Sequence, residues 1–306
     1  MQEPQERVSF HDQISRNKWK SFFLIVIIFL VFLLLGYMIS LATEPGYFFV
    51  IMILAIIISL VYILLSYYSS DKIALASVGA MPASQQEYRQ YHNSVEALCL
   101  ASGMPKPQLY VMPGQQINAF ASGRDPEHAV ICVTEGALQK LNKQELEGVL
   151  GHELSHIANF DIRFMTLVAV MVGMIAIISE IFLRSLWFRG SSGSSDNKGK
   201  GNAIFVIIGI VLAILAPIVV QLVQFAISRK REYVADASAV KFIRSPTGLI
   251  GALKKIKNDN PTEQDKKQNI SKAVAPLFIS NPFKKLEGLT STHPPLEKRI
   301  EILERM

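Results

Sequence analysis

Residues 142–164 read NKQELEGVLGHELSHIANFDIRF, and how this stretch is read decides the rest of the chain. Asn142 followed three residues later by Glu145 has the form of a capping box, in which each side chain satisfies the other's backbone N–H. A helix is therefore expected to start here and to run through LEGVLGHELSHIA. At 3.6 residues per turn His152 and His156 then stand one turn apart on one face, where both imidazoles can reach a single zinc ion at about 2.0–2.1 Å. Glu153 points to an adjacent direction on the same surface, where a carboxylate can hold a metal-activated water and take its proton. The motif alone favours zinc without proving it, because a catalytic zinc takes a third protein ligand and keeps one position open.

A second stretch, SRKREYVADASAV at residues 228–240, offers that ligand. Glu232 and Asp236 lie at helical i, i+4 spacing. Alone, an acidic pair beside Arg229, Lys230 and Arg231 reads as a solvated salt-bridge face. Beside a helix carrying two histidines the balance reverses: Glu232 supplies a carboxylate ligand, and Asp236, one turn on, accepts a hydrogen bond from the ring nitrogen of His152 that does not face the metal.

The chain around these stretches is apolar. Of 306 residues 50% are hydrophobic and 18% charged, too few charges for an ordinary soluble protein of this length. Four runs are long enough to cross a hydrocarbon layer of roughly 30 Å: Phe22 to Ala42, Tyr47 to Tyr68, Phe164 to Leu183 and Ala203 to Ile227. The net charge of +6 gathers beside those runs, in SRNKWK and SRKRE, where bilayer anchoring accounts for it, so no nucleic-acid partner is expected. Arg7, Arg16, Lys18 and Lys20 precede the first run and the turn after it carries no base, which places the N-terminus in the cytoplasm.

The expected layout is an N-terminal tail and membrane hairpin (1–70), a first catalytic part ending in the histidine helix (71–163), a second membrane hairpin (164–227) and a second catalytic part with Glu232 (228–306). The loop after the third run carries Arg184, Arg189, Lys198 and Lys200, which fits an outside loop poorly. Glu180, inside that run, either snorkels or has a function. In the catalytic parts a helix is expected over about Ser84 to Ser102, with extended pieces in QLYVM, QQINAFASG and HAVICV. Cys99 and Cys132 fit no thiolate zinc spacing and read as buried free thiols.

Taken together, GHELSHIANFDIR, SRKREYVADA, INAFASG and the C-terminal STHPPLEKRI resemble the HtpX family of bacterial membrane-bound zinc metalloproteases, distant relatives of the CAAX prenyl proteases. The resemblance spans nearly the whole chain. It implies a bacterial cell membrane protein with a cytoplasmic gluzincin site: His152, His156 and Glu232 as ligands of one zinc ion, Glu153 as general base, and membrane-protein polypeptides as substrates in quality control. The expected fold class is a mainly α membrane protein, with four transmembrane helices and a cytosolic zincin-type α+β domain.

By the same resemblance Asn118, Ala119 and Phe120 form an edge strand that pairs with an extended substrate, although an ordinary hairpin accounts for them too. His293 either donates to the oxyanion of the tetrahedral intermediate, a contribution of about 3 kcal/mol, or simply precedes the final helix, PPLEKRIEILERM. Two other readings remain open at this stage: a prenyl-protein protease with the same chemistry, and a transporter or scaffold with none. The latter normally shows more polar groups within its spans than Glu180, Gln221 and Gln224.

Overall fold

The computed structural model describes residues 10–41, 45–171, 209, 229–260, 262, 265, 274–280 and 294–306. Two long helices open it, α1 (Phe10–Leu41) and α2 (Phe48–Tyr68). They pack as a hairpin. Gly36 lies where any Cβ would overlap Ala55, so the two backbones approach closely, as membrane helices do through small residues. Their outward faces carry Phe23, Leu30 and Leu34 on α1 and Phe49, Ile53, Ile57 and Leu64 on α2, all exposed, the pattern of a surface meant for lipid.

Of the four expected spans, two are long and apolar enough to cross a membrane among the described residues, Ile14–Tyr37 and Pro45–Tyr68. The third begins inside α7 (Asp161–Met171), which is bent by 87° from the helix before it. The rest of that run, the fourth run, Glu180 and the basic loop lie outside the described residues. A count of four is therefore not established.

The short helix α3 (Ser70–Ser77) leads to a four-stranded sheet built from β1 (Met81–Pro82), β2 (Gln108–Met112), β3 (Ala119–Gly123) and β4 (Ala129–Thr134). The order is β1-β2-β4-β3, with β2 and β4 parallel and the other pairs antiparallel. β2 matches the expected strand residue for residue; β1, only two residues long, has no periodicity to announce it. α4 (Arg89–Ser102) begins five residues later than its sequence suggests, because residues 84–88 close a turn through Tyr88 N–H to the Ser84 carbonyl at 2.9 Å. It ends where Gly103 takes φ +70°, the left-handed cap that glycine adopts without steric cost.

The sheet is covered on both faces. Leu109, Val111, Ala121, Ile131 and Val133 pack against α4 and, past the short α5 (Glu135–Lys140), against α6 (Lys143–Ala158) through Val95, Leu98, Leu150 and Leu154. The alternate residues Met112, Phe120, Val130 and Cys132 face Leu75 of α3, Phe164 and Val168 of α7, and Leu24 and Ile28 of α1. Burial on both sides explains why AVICVT is apolar throughout rather than alternating. It also makes α1 part of the core beneath the sheet. Cys99 and Cys132 are free and buried.

Three further helices, α8 (Arg229–Ile243), α9 (Thr247–Asn258) and α10 (Leu296–Leu303), close around α6. The contact is close because α6 carries glycines there: a Cβ on Gly148 would lie 2.5 Å from the Leu249 backbone nitrogen, and one on Gly151 2.9 Å from Ile243 Cδ1. Replacing Gly148 by alanine gains about 1 kcal/mol of helix propensity but forces the α9 backbone away, an overpacking cost of about 1–3 kcal/mol. Gly148→Ala is expected to lower the thermal unfolding midpoint of the detergent-solubilised chain; an unchanged or higher midpoint contradicts the backbone contact described.

Candidate metal centre

The capping box is present: Asn142 Oδ1 accepts from Glu145 N–H at 3.0 Å, and Glu145 Oε2 accepts from Asn142 N–H at 2.8 Å. The helix it starts carries His152 and His156 into the interior, 1% and 5% exposed. The glycines let α8 in, and its first turn delivers Glu232. The His152 and His156 Nε2 atoms are 3.2 Å apart, and Glu232 Oε2 and Oε1 lie 3.5 Å and 3.7 Å from them respectively.

A carboxylate only accepts hydrogen bonds, so a ring nitrogen facing one carries the hydrogen. His152 Nδ1 meets Asp236 Oδ1 at 2.9 Å, and His156 Nδ1 meets Asp161 Oδ2 at 3.1 Å. Both Nε2 lone pairs are thereby turned toward each other and toward Glu232. Three electron-rich atoms so close repel unless a cation or a proton lies among them. The separations also suit a metal: ligands at about 2.0–2.1 Å in a tetrahedron stand about 3.3–3.4 Å from one another. His152, His156 and Glu232 form the one cluster of three such donors among the described residues, their ligand atoms within 4.8 Å of one another.

The surrounding charge agrees. Glu153, Asp161, Glu232 and Asp236 are buried around the histidines together with Arg231 and Arg299, leaving an excess of two negative charges, the complement of a divalent cation between neutral imidazoles. Without a metal to compete for its Nε2, His152 is drawn toward the protonated form: burial and the Arg299 charge pull its pKa down, but hydrogen bonds to Asp236 and Glu232 outweigh them and carry it up to about 9. Burial works against ionised Asp236, yet Arg299 and His152 hold its carboxyl below the usual range. For Glu153 burial dominates and raises the pKa, against the two histidines and an Ala121 backbone N–H that donates to its carboxylate. A raised carboxyl is a better proton acceptor.

Two participants escape a reading of motifs. Arg299, fully buried, forks onto Asp236, with Nε to Oδ2 at 2.9 Å and Nη2 to Oδ1 at 2.6 Å, and its Nη1 lies 3.5 Å from Glu232 Oε2. Its signal in the sequence is position: Leu296, Arg299, Ile300 and Leu303 form one helical stripe, so the arginine falls where a core residue belongs. Asp161 is the other, five residues after His156 and past the end of its helix. The sign that something must stand there is the general need of a ligating histidine for a partner on its second nitrogen.

The substrate-strand expectation meets a partly covered edge. β3 is an edge strand in the sheet order, but the Ala119 carbonyl accepts from Ile279 N–H at 2.9 Å, Phe120 bridges to Phe278, and Asn118 Nδ2 donates to the Ser280 carbonyl at 2.9 Å. The open edge expected at Asn118 to Phe120 is thus closed by residues 278–280, whose paired backbone no run of strand-forming residues announces. His293 lies outside the described residues.

Comparison with known proteins agrees with this geometry. The model of peptidase family M48 matches residues 85–306. Proteins named "Protease HtpX homolog" are similar over most of the chain: one from Thermoanaerobacter pseudethanolicus is 48% identical over 85% of this chain and 89% of its own. Another, from Lactobacillus helveticus, is 41% identical over 97% and 99%. The crystal structure of S. mikatae Ste24p aligns with a TM-score of 0.49 at 20% identity, covering 95% of this chain and 66% of that one. With His152, His156 and Glu232 gathered within reach of one ion, a family model that covers residues 85–306 and relatives 41–48% identical over most of the chain, the chain belongs to peptidase family M48, among its HtpX-like membrane metalloproteases.

Proposed function

We propose that the chain is a zinc-dependent endopeptidase of the bacterial cell membrane that cuts the cytosolic parts of membrane proteins, misfolded ones included. The observation that supports this most is the triangle of His152, His156 and Glu232 with each Nδ1 tied to a buried carboxylate and Glu153 alongside. These three residues would hold one zinc ion per chain, and the bound ion would supply the Lewis acidity that activates water and polarises a peptide carbonyl.

The chain's own residues do the rest. Glu153 takes the proton of the attacking water and returns it to the leaving amine, its basicity raised by burial. Asp236, clamped by Arg299, keeps the His152 ring from turning. An extended substrate aligned with β3 by main-chain hydrogen bonds would lie toward Ala121, beside Glu153, or displace residues 278–280. His156 is eight residues before the Phe164 run and Glu232 five after the run that ends at Ile227, so both halves of the site adjoin apolar segments in the sequence. Arg7, Arg16, Lys18 and Lys20, ahead of the first apolar run, would orient the N-terminus and the site toward the cytoplasm.

Glu153→Gln is expected to retain zinc, by elemental analysis of the purified chain, while cleavage falls by about 10²–10⁴-fold; near wild-type turnover contradicts the assignment. His152→Ala, His156→Ala and Glu232→Ala are each expected to lose the metal. A membrane-anchored unfolded reporter is expected to be cut faster than the same sequence released from its anchor, in vesicles containing the enzyme. Equal rates for the two forms contradict membrane-bound substrates.

A further inference from the structure

We propose that Asn17, in the first membrane helix, is a positioning residue for the metal centre, acting through Asp161 on His156, so that the centre is complete only when α1 is seated against the catalytic domain. This rests on the metal-centre reading above.

The contacts form a short chain. Asn17 is 5% exposed although it lies within a candidate span. Its side-chain amide has two hydrogens, and both go to one turn: Nδ2 donates to Asp161 Oδ1 at 2.6 Å and to the Asn159 carbonyl at 3.0 Å. The other Asp161 oxygen faces His156 Nδ1 at 3.1 Å, and Arg231, the residue before Glu232, meets Asp161 Oδ1 through Nε at 3.1 Å. Asp161 therefore joins three elements, α1, α6 and α8, at one carboxylate, and its remaining oxygen aims a ligand.

The turn that presents Asp161 is strained, although Asn159 N–H and Phe160 N–H tie it back to the Ser155 and Ile157 carbonyls at 3.0 Å and 3.1 Å. Between α6 and α7 the chain bends by 87°, and Phe160 sits at φ 58°, a left-handed conformation unfavourable for a bulky residue. Such strain persists where neighbours over-determine it. Here α1 contributes two grips: Asn17 on the backbone and carboxylate, and Lys18 Nζ over the Phe160 ring at 4.6 Å. A buried asparagine amide is costly unless it is satisfied, and a purely structural tie would serve equally well anywhere along α1. This one falls on the group that orients His156.

The test uses the full chain in detergent or nanodiscs. Zinc affinity is measured by competition with a chromogenic chelator, and ligand geometry by visible absorption of the cobalt-substituted protein. Asn17→Ala is expected to weaken zinc binding by about 10-fold, the lower end of what losing the direct partner of a ligating histidine costs, and to change the cobalt band. Ser21→Ala, one turn along α1 and equally buried, is expected to change neither. Asp161→Asn keeps the shape of the side chain and is expected to weaken binding in the same range; it decides the matter if Asn17→Ala does not fold. Wild-type affinity and an unchanged cobalt spectrum in a folded Asn17→Ala or Asp161→Asn chain overturn the proposal. A wild-type chain that binds no zinc overturns the metal-centre reading itself, and the proposal with it.

Discussion

Two imidazole nitrogens 3.2 Å apart with a carboxylate 3.5 Å and 3.7 Å away, all withdrawn from water, are the constraint on which the rest of this structure depends. Such a group is unfavourable without positive charge among its members, and it stays in register because each ring is held from behind by a carboxylate that is itself held by an arginine. Arg299 grips Asp236 and Arg231 grips Asp161. The interior around α6 is therefore an ionic lattice whose excess negative charge a divalent cation would offset. A buried charge is tolerable where every neighbour answers it.

The helices serve that lattice. Gly148 and Gly151 remove side chains from α6 where α9 and α8 cross it, which lets Glu232 reach the histidines. The sheet supports α6 from the other side and places the Ala121 N–H against Glu153. The far face of the sheet rests on α3, α7 and the membrane helix α1, so the bilayer segment and the catalytic domain share one core rather than being joined by a linker.

Much of this is written locally in the sequence. The capping box at Asn142, the i, i+4 spacing of the histidines and of Glu232 with Asp236, and the strands at Gln108–Met112 and Ala129–Thr134 all follow from contacts a few residues apart, where propensity and periodicity are informative. What was not legible depends on long separations. Asn17 and Asp161 are 144 residues apart, and Arg299 and His152 147; no local pattern brings such pairs together. The covered edge of β3 is of the same kind, since residues 278–280 pair with it from 162 residues away at Asn118. The spans after Met171 rest on apolar run length alone.

The most direct test of the account is X-ray absorption at the zinc edge of the purified, zinc-loaded full chain. It predicts a low-coordinate site with nitrogen and oxygen neighbours at about 2.0–2.1 Å, the multiple scattering of two imidazoles, and no sulfur. A shell at about 2.3 Å, the zinc–thiolate distance, would place the metal on cysteine, away from His152, His156 and Glu232, and would contradict the account.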